Sequence, residues 1–209
     1  RLRDDAAKGP GLSSSAPEEP ESSSPLKADP RSPVVDPHAA PGPHHYPALD
    51  VRDDVLSFET EPLPEDLWVA GPFGELIYAS CVCRDFDLWV RLLDVHPDGR
   101  AYNVTSAGND VVRASYRDPG EGRRPLEPGR VYELWVRDSQ TAIRYGKGHR
   151  IRLQISASFD PHLSRNLQTG ESEVTSAESR AARITIHHGA KWASRLVLPV
   201  VAGPLSLQE

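Results

Sequence analysis

Methionine is absent from this chain of 209 residues. Ordinary processing removes an initiator methionine only ahead of a small side chain, and Arg1 is not small, so the sequence reads as a piece of a longer polypeptide. No signal peptide opens it either. Long apolar runs are also missing: no stretch approaches the roughly 20 apolar residues that a membrane-spanning helix needs, which excludes a helical membrane protein. Cations are outnumbered, with 24 Lys and Arg against 30 Asp and Glu for a net charge of -6. They are scattered rather than clustered, which excludes a nucleic-acid partner. Cysteine is scarce, Cys81 and Cys83 being the only two. Residues two apart on an extended strand share a face at a separation that a disulfide does not comfortably span, so no bridge is expected. Two thiolates cannot close a four-ligand zinc shell either. The pair reads as two small, half-buried strand residues.

What is present divides in two. Residues 1–49 hold half of the 20 prolines, together with two Ser triplets (Ser13 to Ser15 and Ser22 to Ser24) and the acidic Glu18, Glu19 and Glu21. No apolar periodicity is visible there, so this segment reads as a linker or arm rather than a domain. Pro41, Pro43 and Pro47 each push the preceding residue toward extended geometry, and the stretch before Leu49 is expected to run as an extended arm across a surface.

From residue 50 to about 203 the pattern changes to short alternating runs cut by Gly, Pro, Asp and Asn, with a tail at 204–209. Ile151, Leu153, Ile155 and Ala157 share one face of a strand while Arg150, Arg152, Gln154 and Ser156 share the other, one face core and one wet. The same period fits Phe86, Leu88, Val90 and Leu92; Tyr132, Leu134 and Val136; Ile184 and Ile186; and Leu196, Leu198 and Val200. Weaker strands are expected at 55–60, 73–79, 101–105 and 111–116. Pro97-Asp98-Gly99 and Glu127-Pro128-Gly129 supply turn chemistry. The fold class is therefore all-β, a sandwich or jelly roll of about nine strands behind a long irregular N-terminal segment. Helix is expected at most as a turn or two at 178–182.

Catalytic chemistry is largely missing. No Gly-x-Ser-x-Gly elbow exists; Gly11-Leu12-Ser13, the nearest string, sits in the linker, so no catalytic residue is assigned. His44-His45 and His187-His188 invite a metal reading. Neighbours on a strand face opposite ways, so neither pair can share one ion, and no metal and no cofactor are assigned. Asp94, Asp98, Glu171 and Glu173 match no dense calcium-ligand run and read as solvated loop carboxylates. Asn103-Val104-Thr105 is a formal glycosylation sequon in a strand, read as chance. Trp89 and Trp135 lie out of phase with the apolar sets of their strands. They read either as a sugar-stacking platform or as anchors of an interface with another domain, where aromatics are enriched.

Several strings coincide in order and spacing: Asp94-Val95-His96-Pro97-Asp98-Gly99-Arg100, Arg113-Ala114-Ser115-Tyr116-Arg117, Leu126-Glu127-Pro128-Gly129, Gly148-His149-Arg150-Ile151-Arg152-Leu153, Asn166-Leu167-Gln168-Thr169-Gly170 and Ser194-Arg195-Leu196-Val197-Leu198-Pro199. Together, over residues 50–201, they closely resemble the C-terminal non-catalytic domain of the X-Pro dipeptidyl-peptidase and cocaine-esterase family of serine hydrolases. Asp29-Pro30-Arg31-Ser32-Pro33-Val34 is similar to that family's Asp-Pro-x-x-Pro-Val element. Gly189 and Ala193 depart from it, standing where the family tends to have Asp and Pro.

The resemblance implies a jelly roll of galactose-binding-like shape following an α/β-hydrolase catalytic domain that carries a Ser-Asp-His triad. No position of this chain matches the triad motifs, so the chain alone is expected to be inactive. The partner it implies is that upstream catalytic domain, with homo-oligomer contacts left open; separately, a cytoplasmic location is expected. By the same alignment the first strand ends at about Leu2 with most of it missing, and the exposed edge predicts self-association. The alternative is a stand-alone carbohydrate- or ligand-binding module.

Overall fold

The computed structural model of the chain describes residues 2–5, 9–38, 40–108 and 110–203. Among them the strands run β1 (Leu2–Asp5), β2 (Gly9–Leu12), β3 (Ser23–Ala28), β4 (Val55–Glu59), β5 (Leu67–Cys81), β6 (Asp87–Val95), β7 (Ala101–Asn103), β8 (Val111–Arg113), β9 (Val131–Tyr145), β10 (Arg150–Ser156), β11 (Ala182–His187), β12 (Arg195–Val197) and β13 (Val200–Val201). Two short 3-10 turns, Ala114–Tyr116 and Ala190–Trp192, are the helical elements of this set, and the expected turn at 178–182 is instead irregular chain leading into β11.

The strands form two sheets. One has the order β1-β2-β4-β10-β6-β7, with β8 also on β6. The other has the order β12-β5-β11-β3, with β9 and β13 also on β5. Pairing is antiparallel except between β2 and β4. Ile151, Leu153 and Ile155 of β10 face Ile77, Leu134, Ile184 and Ile186 of the opposite sheet in one cluster, as the period-two reading of these strands requires. The β6–β7 hairpin turns at Pro97-Asp98-Gly99. Gly99 N donates to His96 O at 2.9 Å, and Gly99 takes the positive φ of 88° that the connection needs.

The Pro- and Ser-rich segment departs from the linker expected for 1–49. Ser24, Leu26 and Ala28 are buried while Ser23, Pro25 and Lys27 are exposed, a strand alternation carried by small and disguised residues. Among the described residues strand β3 pairs only with β11, so Pro25 sits on an edge where its missing N–H breaks no ladder.

Residues 29–38 and 40–49 cross a surface of the sandwich. They lie over the outer face of β6, tied by single bridges of Val35 to Asp160 and His45 to Tyr102. Strand β6 is consequently buried on both faces, with Leu88, Val90 and Leu92 toward the core and Trp89 toward Val34, Tyr46, Leu49 and Phe159.

Two further expectations are overturned. Trp89, read as an exposed aromatic, is 2% exposed, because the arm and Phe159 (ring centroids 5.7 Å apart) cover it. Cys81 and Cys83 form a disulfide. The chain bends at 82–84 on leaving β5, which brings the two Cα atoms to 5.1 Å, closer than an extended strand would hold them.

Gly189, one of the departures noted above, has a local reason. The backbone of residues 20–22 crosses it so closely that an added Cβ would lie 2.5 Å from Ser22 N and 2.8 Å from Pro20 O. Gly189→Ala is expected to destabilise the chain by about 1–3 kcal/mol, as overpacking does. A urea-unfolding midpoint equal to that of the parent chain would show that the crossing can relax.

Candidate functional site

Two hydroxyl–imidazole pairs occur among the described residues, and both are structural. Ser24 Oγ and His188 Nε2 lie 2.9 Å apart, with Ser24 and His188 buried and the His188 ring edge-on to Phe58 at 5.6 Å. Ser80 Oγ and His187 Nε2 are also 2.9 Å apart, and burial holds the His187 imidazole below its usual range. Neither pair lines either of the two larger clefts described here, of 260 and 210 Å³. A substrate carbonyl therefore has no approach to either hydroxyl through them.

The larger cleft, of 260 Å³, is built by the arm against the β7–β8 connection; Asp36, His38, His44, Tyr46, Asn103 and His162 are prominent in its wall. Asn103 positions the arm. Its Oδ1 accepts from His44 N at 2.6 Å, while its Nδ2 donates to Gly42 O at 3.1 Å and Thr105 O at 2.7 Å. The sequon asparagine thus has its side chain committed to the fold.

His38 and His44 stack with ring centroids 4.1 Å apart, and Tyr46 meets the His38 ring edge-on at 4.9 Å. Each imidazole is pinned from behind, His38 Nε2 donating to His45 O and His44 Nε2 to Ala40 O. Asp36 accepts from His162 Nε2 at 2.7 Å. Burial, and then the charge of Asp36, push the Tyr46 phenol up to about 12, so its hydroxyl stays protonated. Beneath this layer Arg91, 2% exposed, lies with its guanidinium 4.2 Å from the Phe159 ring centroid. Such a wall of fixed rings with a few polar groups can bind and orient a ligand.

The strings singled out in the sequence converge elsewhere. Asp87, just ahead of β6's core run, accepts from Arg113 Nε at 2.8 Å and Nη2 at 2.9 Å, and from Asn166 Nδ2 at 2.8 Å. Burial raises the Asp87 carboxyl and these donors pull it back, while the same bonds lift the Arg113 guanidinium well above its ordinary value. Arg113 also holds Glu173. Burial opposes the Glu173 charge, but the hydrogen bonds from Arg113 and Ser164 outweigh it and hold this carboxyl at about 2. Asp85 accepts from Ser115 N and Oγ. This network welds residues 158–175 to β6 and β8.

The carboxylates weighed for calcium are dispersed: Asp98 pairs with Arg100, Glu173 with Arg113, and Asp94 with His149. Asp94 is joined there by His96, a grouping the sequence reading did not anticipate. Nor is a free sugar platform present at Trp135. Its Nε1 donates to Glu133, and the guanidinium carbons of Arg137 and Arg195 lie 4.8 and 5.8 Å from its ring centroid.

Residues 10–197 match the family model of the X-Pro dipeptidyl-peptidase C-terminal non-catalytic domain. The cocaine esterase of Rhodococcus sp. (strain MB1 Bresler) is 32% identical over 167 residues, which is 77% of this chain and 28% of that esterase. An α-amino acid ester hydrolase superposes with a TM-score of 0.79 at 25% identity, covering 91% of this chain and 33% of that one. An aminopeptidase from a marine sediment archaeon, Thaumarchaeota archaeon, shares the fold with a TM-score of 0.81 at 24% identity over 96% of this chain and 36% of its own. The chain thus spans 28%, 33% and 36% of the esterase, the ester hydrolase and the aminopeptidase respectively.

Proposed function

Because this chain belongs to the X-Pro dipeptidyl-peptidase C-terminal non-catalytic domain family, we propose that it works as the accessory β-sandwich of a serine hydrolase and shapes the entrance to an active site carried by a separate α/β-hydrolase catalytic domain. One observation carries this reading: the matched relatives, an esterase and an amino acid ester hydrolase among them, are about three times longer than the segment shared with this chain. The ester hydrolysis for which these relatives are named then belongs to the remainder, and the sandwich supplies surface.

The surface suited to that role is the arm-lined cleft. Its rings are fixed by main-chain hydrogen bonds, so it offers a preorganised wall for the acyl or peptide portion of a substrate held on the neighbouring domain. The parent reaction in this reading is cleavage of an ester, an acyl-amide or an X-Pro peptide through an acyl-serine intermediate.

The purified chain is expected to leave p-nitrophenyl acetate and Gly-Pro-p-nitroanilide unhydrolysed above the buffer rate. Turnover that a serine-directed fluorophosphonate abolishes would place a nucleophile inside these residues and overturn the assignment.

A further inference from the structure

We propose that Asp94, His96 and His149 form a binding site for a divalent d-block cation, with zinc as the reference ion, where the turn after β6 meets the turn before β10. Their ligand atoms all lie within 4.8 Å of one another. His149 Nδ1 is 2.8 Å from Asp94 Oδ1, and His96 Nε2 is 3.6 Å from Asp94 Oδ2. A four-coordinate ion with ligand bonds of about 2.0–2.2 Å asks for donor atoms roughly 3.3 Å apart, so these spacings bracket what is needed with only small side-chain shifts.

The backbone explains why the three meet. Asp94 and His96 are two apart at the end of β6 and so project to one side. Arg150 pairs with Val95 across the β6–β10 ladder, which carries His149 opposite His96. The two imidazoles lie with ring centroids 4.4 Å apart and planes at 39°, and Tyr102 braces His96 edge-on at 5.2 Å.

Burial is graded in the useful direction. The side chains of Asp94 and His149 are 12% and 19% exposed, whereas that of His96 is 36% exposed. A desolvated carboxylate and imidazole thus form the base of the site and the second imidazole its rim, open to an entering ion. Two imidazole nitrogens and one carboxylate suit zinc, cobalt(II) or nickel(II), and three protein ligands leave a fourth position for water or a donor from a partner. The rival imidazoles are already committed, His38 and His44 to main-chain carbonyls, His162 to Asp36 and His187 to Ser80.

The test is calorimetric titration of the complete chain, stripped with chelator, with zinc chloride, repeated with cobalt(II) read by its visible absorption. One ion per chain and a zinc-dependent rise in Tm are expected. His96→Gln should weaken binding roughly 10–100-fold or more while melting in chelator as the parent does. His187→Gln should bind as the parent does. Because His149→Gln removes a hydrogen bond to a mostly buried carboxylate and so can disturb folding, the rim variant carries the decision. Absence of stoichiometric binding by the parent chain, or unchanged affinity in His96→Gln, overturns the proposal.

Discussion

Arg113→Met is expected to destabilise the chain by about 3–5 kcal/mol, the cost of leaving one member of a buried ion pair alone. The Asp87 side chain is 4% exposed and that of Arg113 21%, so solvent does little to screen the loss. Methionine keeps most of the arginine stem's volume and removes both donors to Asp87, along with those to Glu173 and the carbonyl of Ser164. The stranded carboxylate must then be protonated or unfold its surroundings. Asp87→Asn combined with Arg113→Met should recover part of the loss, because the amide carries no charge to strand. Urea unfolding of the single and double variants measures both effects. A single variant within about 1 kcal/mol of the parent would mean that the pair behaves as a surface bridge.

A second large effect is expected at Glu75, on the core-facing side of β5 and 1% exposed. Burial, and then the charge of Asp110, push its carboxyl from 4.5 up to about 8. The folded chain therefore holds this proton over a pH range in which the unfolded chain has released it. Stability from this group is fully present below about pH 4.5, falls as pH rises toward 8, and stays low above that. Glu75→Gln removes the slope, so at pH 9 the variant should exceed the parent chain by an amount on the order of a few kcal/mol, with the two converging toward pH 5. Denaturant unfolding at several pH values reads this directly; two parallel stability curves would sink it.

Much of the sandwich was legible where a strand buries one face. Strands β4, β7 and β10 fall close to where alternation and turn residues put them, but the face of β10 read as wet is covered at Gln154 and Ser156, both fully buried. Strand β3 was not legible, since Ser24 and Ala28 are weak apolar signals and Pro25 argues against a strand unless its edge position is known. Trp89 misled for a related reason. A residue out of phase with its strand looks exposed unless a distant arm covers it, and nothing local in the sequence announces that cover. The Cys81–Cys83 bridge depends on a bend rather than on spacing. Attention to histidines adjacent in sequence hid the grouping of His96 with His149, which only the β6–β10 register brings together.

The arm over β6 carries a consequence for energetics. It is held by two isolated bridges, by side-chain hydrogen bonds such as those of Asn103 with His44 and Gly42, and by a patch of apolar and aromatic contacts, rather than by a ladder. Such a cover, lacking ladder pairing, is expected to open at a lower free energy than the sheets beneath it. Any molecule gripped in the arm-lined cleft is therefore linked thermodynamically to this partial opening, and its affinity can be tuned from beneath, at Trp89 or Phe159, by residues that never touch it.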